Sequence, residues 1–244
     1  MSEAFQPPPD LSVVVPVYNE RDSLGSLVSE LRGALRPLDL AFEIILVDDG
    51  SDDGSTQACA TLAREDASVR SLHFGENHGQ TAAFDAGFRA ARGRWIVTLD
   101  ADLQNDPKDI PRLLAALDDA DAAVGYRVGR ADGLLHRLSS WIANRVRNWV
   151  SDENVVDTGC SLKAYRRDCL AGLKLYTGMH RFLPTLLRME GWRVVQLPVG
   201  HRPRRHGKSK YGIRNRLPRS FVDLLVVRWM KSRRLNYEVT RDEP

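Results

Sequence analysis

LSVVVPVYNE, residues 11–20, decides the fold. From Leu11 to Val17 the run is almost wholly apolar and rich in valine, and it breaks at the polar trio Tyr18-Asn19-Glu20. A short β-branched run closed by a polar turn reads as a strand buried in a sheet. Working outward, Glu43 to Val47, Val69 to Phe74 and Trp95 to Leu99 repeat the pattern, each ending in a polar or glycine-containing turn. Helical stretches stand between them near Ser23 to Leu35, Ser55 to Arg64 and Thr81 to Ala91. This alternation predicts βαβ units and an α/β fold, with a mostly parallel central sheet covered by helices on both faces. Ligands of such sheets bind outside the carboxyl ends of the strands, so Pro16 to Glu20, Asp48 to Ser51 and Asp100 to Gln104 are expected to converge.

Beyond residue 120 the pattern turns mainly helical. Asp121 to Val124 reads as another strand, Leu134 to Val150 and Arg181 to Glu190 as helices, and Val194 to Val199 as a last strand. His201 to Gly212 has no hydrophobic period and is rich in glycine and arginine, which suits a loop that closes over a site. We therefore expect one domain over residues 1–212, with a basic lid at 200–212, and a C-terminal helix and tail over residues 213–244.

The 244 residues, 43% hydrophobic and 27% charged, have the composition of a globular protein with a sizeable core. Three cysteines without CxxC spacing (Cys59, Cys160 and Cys169) indicate neither a disulfide framework nor a zinc site. The proline-rich start, Met1 to Asp10, lacks the basic and apolar regions of a secretory signal, so a cytoplasmic location is expected. The net charge of +3 conceals an asymmetry. His201 to Arg234 carries twelve lysines and arginines against Asp223 alone, on an otherwise mildly acidic body. Such a block seeks a polyanion: membrane lipid, phosphate or nucleic acid. Nucleic acid is disfavoured by the acidic body and by the lack of an aromatic stacking surface.

Three constellations carry the chemistry. Asp100-Ala101-Asp102-Leu103-Gln104 sets two carboxylates and an amide oxygen at a strand end, a hard oxygen set suited to Mg²⁺ or Mn²⁺ beside a nucleoside diphosphate. Metal binding is the expectation for Asp102, whereas Asp106 before Pro107 reads as a helix cap. Asp48-Asp49-Gly50-Ser51 could hold a ribose hydroxyl or a base edge, with Asp52, Asp53 and Ser55 as turn and cap residues. In Val14 to Glu20, Tyr18 could stack on a base and Glu20 accept from it, or the segment could be a turn with a half-buried tyrosine.

VVVPVYNE, ILVDDGSDDGS and TLDADLQ, in this order, resemble the nucleotide-sugar domain of family 2 glycosyltransferases, which have the Rossmann-like GT-A fold. The DADLQ form is similar to dolichyl-phosphate mannose synthase and bacterial polyprenyl-phosphate glycosyltransferases. Asn77-His78-Gly79-Gln80, Ala86-Gly87, Asp157 to Cys160, His180-Arg181-Phe182 and Gly207 to Gly212 also look like segments of that group. The resemblance implies inverting transfer from a nucleotide-sugar donor to a polyprenyl phosphate, undecaprenyl phosphate in a bacterium, at the inner membrane face. Pro16, Tyr18, Glu20, Val47 and Asp49 would line the nucleoside, with Asp100 and Ala101 beside it. Asp102 and Gln104 would bind the metal, Arg127 would approach a phosphate, and Arg204 and Lys210 would close over the phosphates. Asp157 would either position charge or serve as a turn residue. A family 2 enzyme acting on a sugar hydroxyl is the nearest rival, and a module that only binds nucleotide, membrane or nucleic acid a more distant one.

Members of that group often carry two transmembrane helices after the catalytic domain. Phe221 to Val227, which contains Asp223, is too short to span. A helix entered near Pro218 and running to about Arg233 would align Leu217, Phe221, Leu224 and Leu225, which suits either an anionic membrane surface or packing against the core or a partner subunit.

Overall fold

In the computed structural model of the chain, residues 8–128, 155–203, 213–235 and 237 are described, the side chains of 213–221 excepted. The strand read first, β1 (Leu11–Val17), sits inside a seven-stranded sheet. Its companions are β2 (Phe42–Asp48), β3 (Val69–His73), β4 (Trp95–Thr98), β5 (Ala122–Arg127), β6 (Lys163–Arg166) and β7 (Val194–Val199), in the order β3-β2-β1-β4-β6-β5-β7. Leu11 stands beside Phe42 on one side and Trp95 on the other, both pairings parallel. Only β6 runs against its neighbours, pairing antiparallel with β4 and β5.

The alternation along β1 distributes its side chains between two layers. Leu11, Val13, Val15 and Val17 pack with Leu24, Leu27 and Leu31 of α1 (Arg21–Leu35) and with Leu113 of α4 (Ile110–Ala115). Val14 faces the other way, against Ala83 and Phe84 of α3 (Gln80–Ala90). A side chain on Gly87 would collide with the Val14 side chain, so this glycine lets α3 lie close on the sheet. Covered on both sides, the strand is almost wholly apolar, and its one polar side chain, Ser12, is bonded to Glu43. α2 (Ser55–Glu65) packs along β3 beyond the loop that follows β2. Cys59, Cys160 and Cys169 are buried free thiols, and burial pushes them up to about 12, 11 and 12, so they act as small hydrophobes.

Several expectations are corrected here. β6 and the short helix α5 (Arg167–Leu170) were not anticipated, because KAYR is only four residues long and has no apolar run. The Arg181 to Glu190 helix is a 3₁₀ turn, Met179–Phe182, running into α6 (Leu183–Met189). The C-terminal helix α7 spans Ile213–Ser232, so it begins before Pro218 and runs through it, at the cost of one backbone hydrogen bond. Its apolar residues do not share one side. Leu224 and Val227 are buried against Phe182, whereas Val222, Leu225, Val226 and Trp229 are exposed. Among the described residues no helix is long and apolar enough to cross a membrane. The expected helix over 134–150 and the loop residues 204–212, with Arg204 and Lys210, lie outside the described residues.

At the amino ends of the strands, away from the turns discussed below, Glu43 is 2% exposed and closes a polar network. It accepts from the Ser12 hydroxyl (2.7 Å), the Arg70 guanidinium (2.7 Å), and the Arg92 main-chain N–H (2.8 Å) and guanidinium (3.0 and 3.1 Å). Burial alone would raise its carboxyl, but these donors hold it below the ordinary value. Its stabilising contribution is therefore present above the unfolded pKa of about 4.3 and is lost as pH falls through the depressed folded value. Glu43→Gln should cost about 2–4 kcal/mol in urea unfolding at pH 7 and flatten the acid limb of the stability profile.

Candidate active site

The chain leaves β1 through β2 and β3 on one side, then crosses to β4 on the other, so a topological switch falls between β1 and β4. A crevice opens at such a point, at the carboxyl ends of the strands. Three turns meet there.

The turns after β1 and β2 are fastened together by side chains from the DGSDDGS segment. Ser51 Oγ accepts from the Asn19 N–H (2.9 Å), Ser55 Oγ from the Glu20 N–H (2.9 Å), and Asp53 Oδ2 from the Arg21 N–H (3.2 Å). Asn19 and Asp52 exchange two bonds, Nδ2 to Oδ1 at 2.7 Å and N–H to Oδ1 at 3.0 Å. Asn19 takes a left-handed backbone, φ 53°, to make this possible. Asp52, Asp53 and Ser55 thus serve the turns, as expected, but none of them is the N-cap of α2, which is Gly54. Tyr18, Glu20 and Pro16 are half-buried on this rim, while Val47 is fully buried beneath α3 and presents only main chain.

Asp49 is 3% exposed and organises the next loop. Its carboxylate accepts from the His78 N–H (2.7 Å), the Gly79 N–H (2.9 Å) and Asn77 Nδ2 (3.0 Å). Burial pushes the carboxyl above its ordinary value despite these donors. Gly50, φ 68°, is required beside it, because a Cβ would strike the backbone of Glu76. Asp48, next to it, is spent internally on the Thr56 hydroxyl (2.7 Å).

At the end of β4, Asp100 Oδ1 accepts from Gln80 Nε2 (2.7 Å), and the Asp100 N–H donates to Ser161 Oγ (3.2 Å). Burial, with the charge of Asp102 alongside, pushes the Asp100 carboxyl above its usual range. Ala101 is buried, Asp102 is 7% exposed, and Asp102 Oδ1 accepts from the Gln104 N–H (3.1 Å). Leu103 between them is left-handed, φ 62°, a strained state for leucine that costs about 1–2 kcal/mol. Gln104 then ties the turn to the strand leading into the basic loop, its carbonyl accepting from the Arg202 N–H (2.8 Å). Asp106 accepts from the Lys108 N–H (3.0 Å), the expected cap, and pairs with Arg202 (2.7 Å). The base of the loop is thus anchored where the Asp100 to Gln104 turn ends.

Arg127, at the end of β5, forms a two-point ion pair with Asp157, Nε to Oδ2 at 2.6 Å and a terminal nitrogen to Oδ1 at 2.9 Å. Asp157 also accepts from the Gly159 N–H (2.9 Å), so it is both a turn residue and the partner of Arg127. Burial would raise its carboxyl, and Arg127 outweighs burial and holds it low. The chemistry that sequence reasoning left without a role lies behind Asp100. Gln80, Ser161, Lys163, His180 and Arg181 border a cavity there. Gln80 and His180-Arg181 fell in noted segments, whereas Lys163 gave no signal because its strand was not recognised.

The sequence profile of glycosyl transferase family 2 matches residues 12–173, which include all three turns and the Arg127–Asp157 pair. The chain belongs to glycosyl transferase family 2. Dodecaprenyl-phosphate galacturonate synthase of Rhizobium johnstonii is 43% identical over 224 residues, 89% of this chain and 66% of that protein. Undecaprenyl-phosphate 4-deoxy-4-formamido-L-arabinose transferase of Aeromonas hydrophila is 40% identical over 205 residues, 83% and 63% of the two chains. The family 2 chain described here therefore matches a little under two thirds of these relatives' length. Among solved structures, mannosyl-3-phosphoglycerate synthase from Rubrobacter xylanophilus superposes with a TM-score of 0.73 at 19% identity, over 93% of this chain and 76% of that one. A mannosyltransferase from Pyrobaculum calidifontis, in complex with GDP-Man and Mn²⁺, gives 0.66 at 21%, over 95% and 66%. At such identities the likeness speaks for the GT-A fold alone.

Proposed function

We propose that this chain transfers a sugar from a nucleotide-sugar to a polyprenyl phosphate, undecaprenyl phosphate in a bacterium, with inversion, at the cytoplasmic face of the membrane. The observation that carries the reading is the convergence of the Tyr18, Asp49 and Asp100 to Gln104 turns in a chain about 40% identical to two transferases named for polyprenyl phosphates. Their names specify different sugars, so the sugar is left open.

Pro16, Tyr18, Glu20, Asp49 and the main chain of Val47 are assigned to the nucleoside, with Asp100 and Ala101 beside it. Asp100 and Asp102 place two carboxylates close enough for one to raise the other, and an oxygen donor set with this repulsion fits a hard divalent cation. Asp102 and Gln104 would hold Mg²⁺ or Mn²⁺, which when bound supplies positive charge against the diphosphate. In the reaction, a phosphate oxygen of the acceptor forms a bond to the anomeric carbon as the bond from that carbon to the donor diphosphate breaks. The electron pair leaves with the diphosphate oxygen. A phosphate monoester is anionic near neutral pH, so this acceptor needs no strong general base. Asp157 fixes the fork of Arg127 before a phosphate arrives, which lowers the cost of orienting it. Arg204 and Lys210 are assigned to closing the basic loop over the phosphates.

The acceptor chemistry also suggests a role for α7. With Leu224 and Val227 turned inward, its outer side presents Val222 (57% exposed), Leu225, Val226 and Trp229 (62% exposed), beside the exposed Arg228, Arg233 and Arg234. Apolar residues rimmed by arginine suit the interface of an anionic bilayer.

Two experiments test these assignments. The full chain, incubated with Mg²⁺ or Mn²⁺, a panel of nucleotide-sugars and undecaprenyl phosphate, should yield a glycolipid by mass spectrometry. The product should vanish with EDTA and fall at least about 100-fold in Asp102→Ala. Transfer to a sugar hydroxyl with none to undecaprenyl phosphate would overturn the acceptor. In co-sedimentation, anionic liposomes should retain the wild type, and Val222→Ser combined with Trp229→Ser should weaken retention at least about fivefold. Equal retention of the two proteins would contradict the assignment of α7.

A further inference from the structure

Beside Asp100 lies a cavity of about 70 Å³ bordered by Asp100 itself and by Gln80, Phe84, Lys163, His180 and Arg181. This is several times the space one water requires, about 10–15 Å³, and it suits a group the size of a carboxylate. Lys163 is 4% exposed, because β6 lies between β4 and β5 and sets it opposite Thr98. Among the described residues its ammonium has no hydrogen-bond or ion-pair partner. A buried lysine in that state is costly, and burial pushes its pKa down although Asp100 and Asp157 act in the opposite sense. Asp100 lines the same cavity and acts on Lys163 through its charge, but it is bonded to Gln80 Nε2 (2.7 Å) and makes no ion pair with the lysine among the described residues, while His180 Nδ1 is held by the Thr81 hydroxyl (2.7 Å). Arg181 also lines the cavity, its charge already facing Asp223. A neutral sugar hydroxyl would leave the Lys163 ammonium without a bonded counter-charge, whereas an oxyanion would supply one.

We propose that this cavity is an oxyanion subsite for the donor, with Lys163 receiving a carboxylate on the transferred sugar, so that the substrate class is a nucleoside-diphosphate hexuronate. Its position supports the donor as the source, because Asp100, which lines the cavity, stands at the strand end assigned to the nucleotide-sugar. The inference rests on the glycosyltransferase reading, and its test is chosen to separate the two.

Equilibrium binding to the full chain with Mg²⁺ should be measured for UDP-galacturonate against UDP-galactose and GDP-mannuronate against GDP-mannose, with UDP and GDP as references. Within each pair the donors differ in having a carboxylate or a hydroxymethyl group at C6. In whichever base series binds, the wild type should favour the acid at least about tenfold. Lys163→Met should erase that preference while changing nucleoside diphosphate affinity by no more than about twofold, and Lys163→Arg should restore it. A wild type that does not discriminate within the pairs overturns the subsite, and that arm needs no variant to fold. So does a Lys163→Met protein that weakens acid and neutral donors alike, the outcome of a purely structural lysine. If the variant instead leaves donor binding intact and raises KM for undecaprenyl phosphate alone, the anion comes from the acceptor and the carboxylate assignment is wrong. Absence of UDP and GDP binding would sink the transferase reading itself, whereas nucleotide binding without discrimination sinks only this inference.

Discussion

Parallel pairing of β1 with β2 on one side and β4 on the other is the constraint on which the rest of the structure depends. It points three strand ends in one direction and sets the topological switch between two of them, so the turns after β1, β2 and β4 are forced into one crevice. The pairing requires strands apolar on both sides, since α1 and α4 cover one face and α3 the other. The valine-rich sequence of β1 and the polarity of Tyr18-Asn19-Glu20 immediately after it are two consequences of the same geometry: the strand is buried on both faces, and its end is not.

Convergence by itself would leave three loose loops. The polar residues of the turns remove that freedom by bonding to each other's backbone. Ser51, Asp52, Asp53 and Ser55 hold the loop after β1, Asp49 holds residues 77–79, and Gln104 with Asp106 holds the segment that leads into the basic loop. Most donors in these contacts are main-chain N–H groups, which fixes backbone as well as side chains. Two left-handed residues, Asn19 and Leu103, mark where the chain is bent to achieve this. Strain of this kind persists only where surrounding bonds over-determine it, and both positions lie on the crevice.

What was legible in the sequence follows from locality. The strands of the first hundred residues, their turns and the carboxylates of Asp100 to Gln104 are each specified within about ten residues, and the sheet rule brings them together. The ion pair of Arg127 with Asp157 was not legible, because its members are 30 residues apart and meet only through β5 and the turn before β6. Lys163 was hidden for a related reason: a four-residue strand with a lysine at its start has no period to detect, and the burial of that lysine is imposed by β4 and β5 on either side. The C-terminal helix shows the converse. Its existence followed from composition, but which side faces the protein depends on Phe182, so Leu224 and Leu225, adjacent in sequence, have opposite fates.

We propose that the end of β4 and the turns beside it form one nucleoside diphosphate site that binds a divalent cation jointly with the nucleotide. Electron paramagnetic resonance of Mn²⁺ titrated into the protein, with and without UDP or GDP, tests it most directly. One tightly bound Mn²⁺ per chain is expected, dependent on the nucleotide and lost in Asp102→Ala. Mn²⁺ binding that is indifferent both to nucleoside diphosphate and to the loss of the Asp102 carboxylate would contradict it.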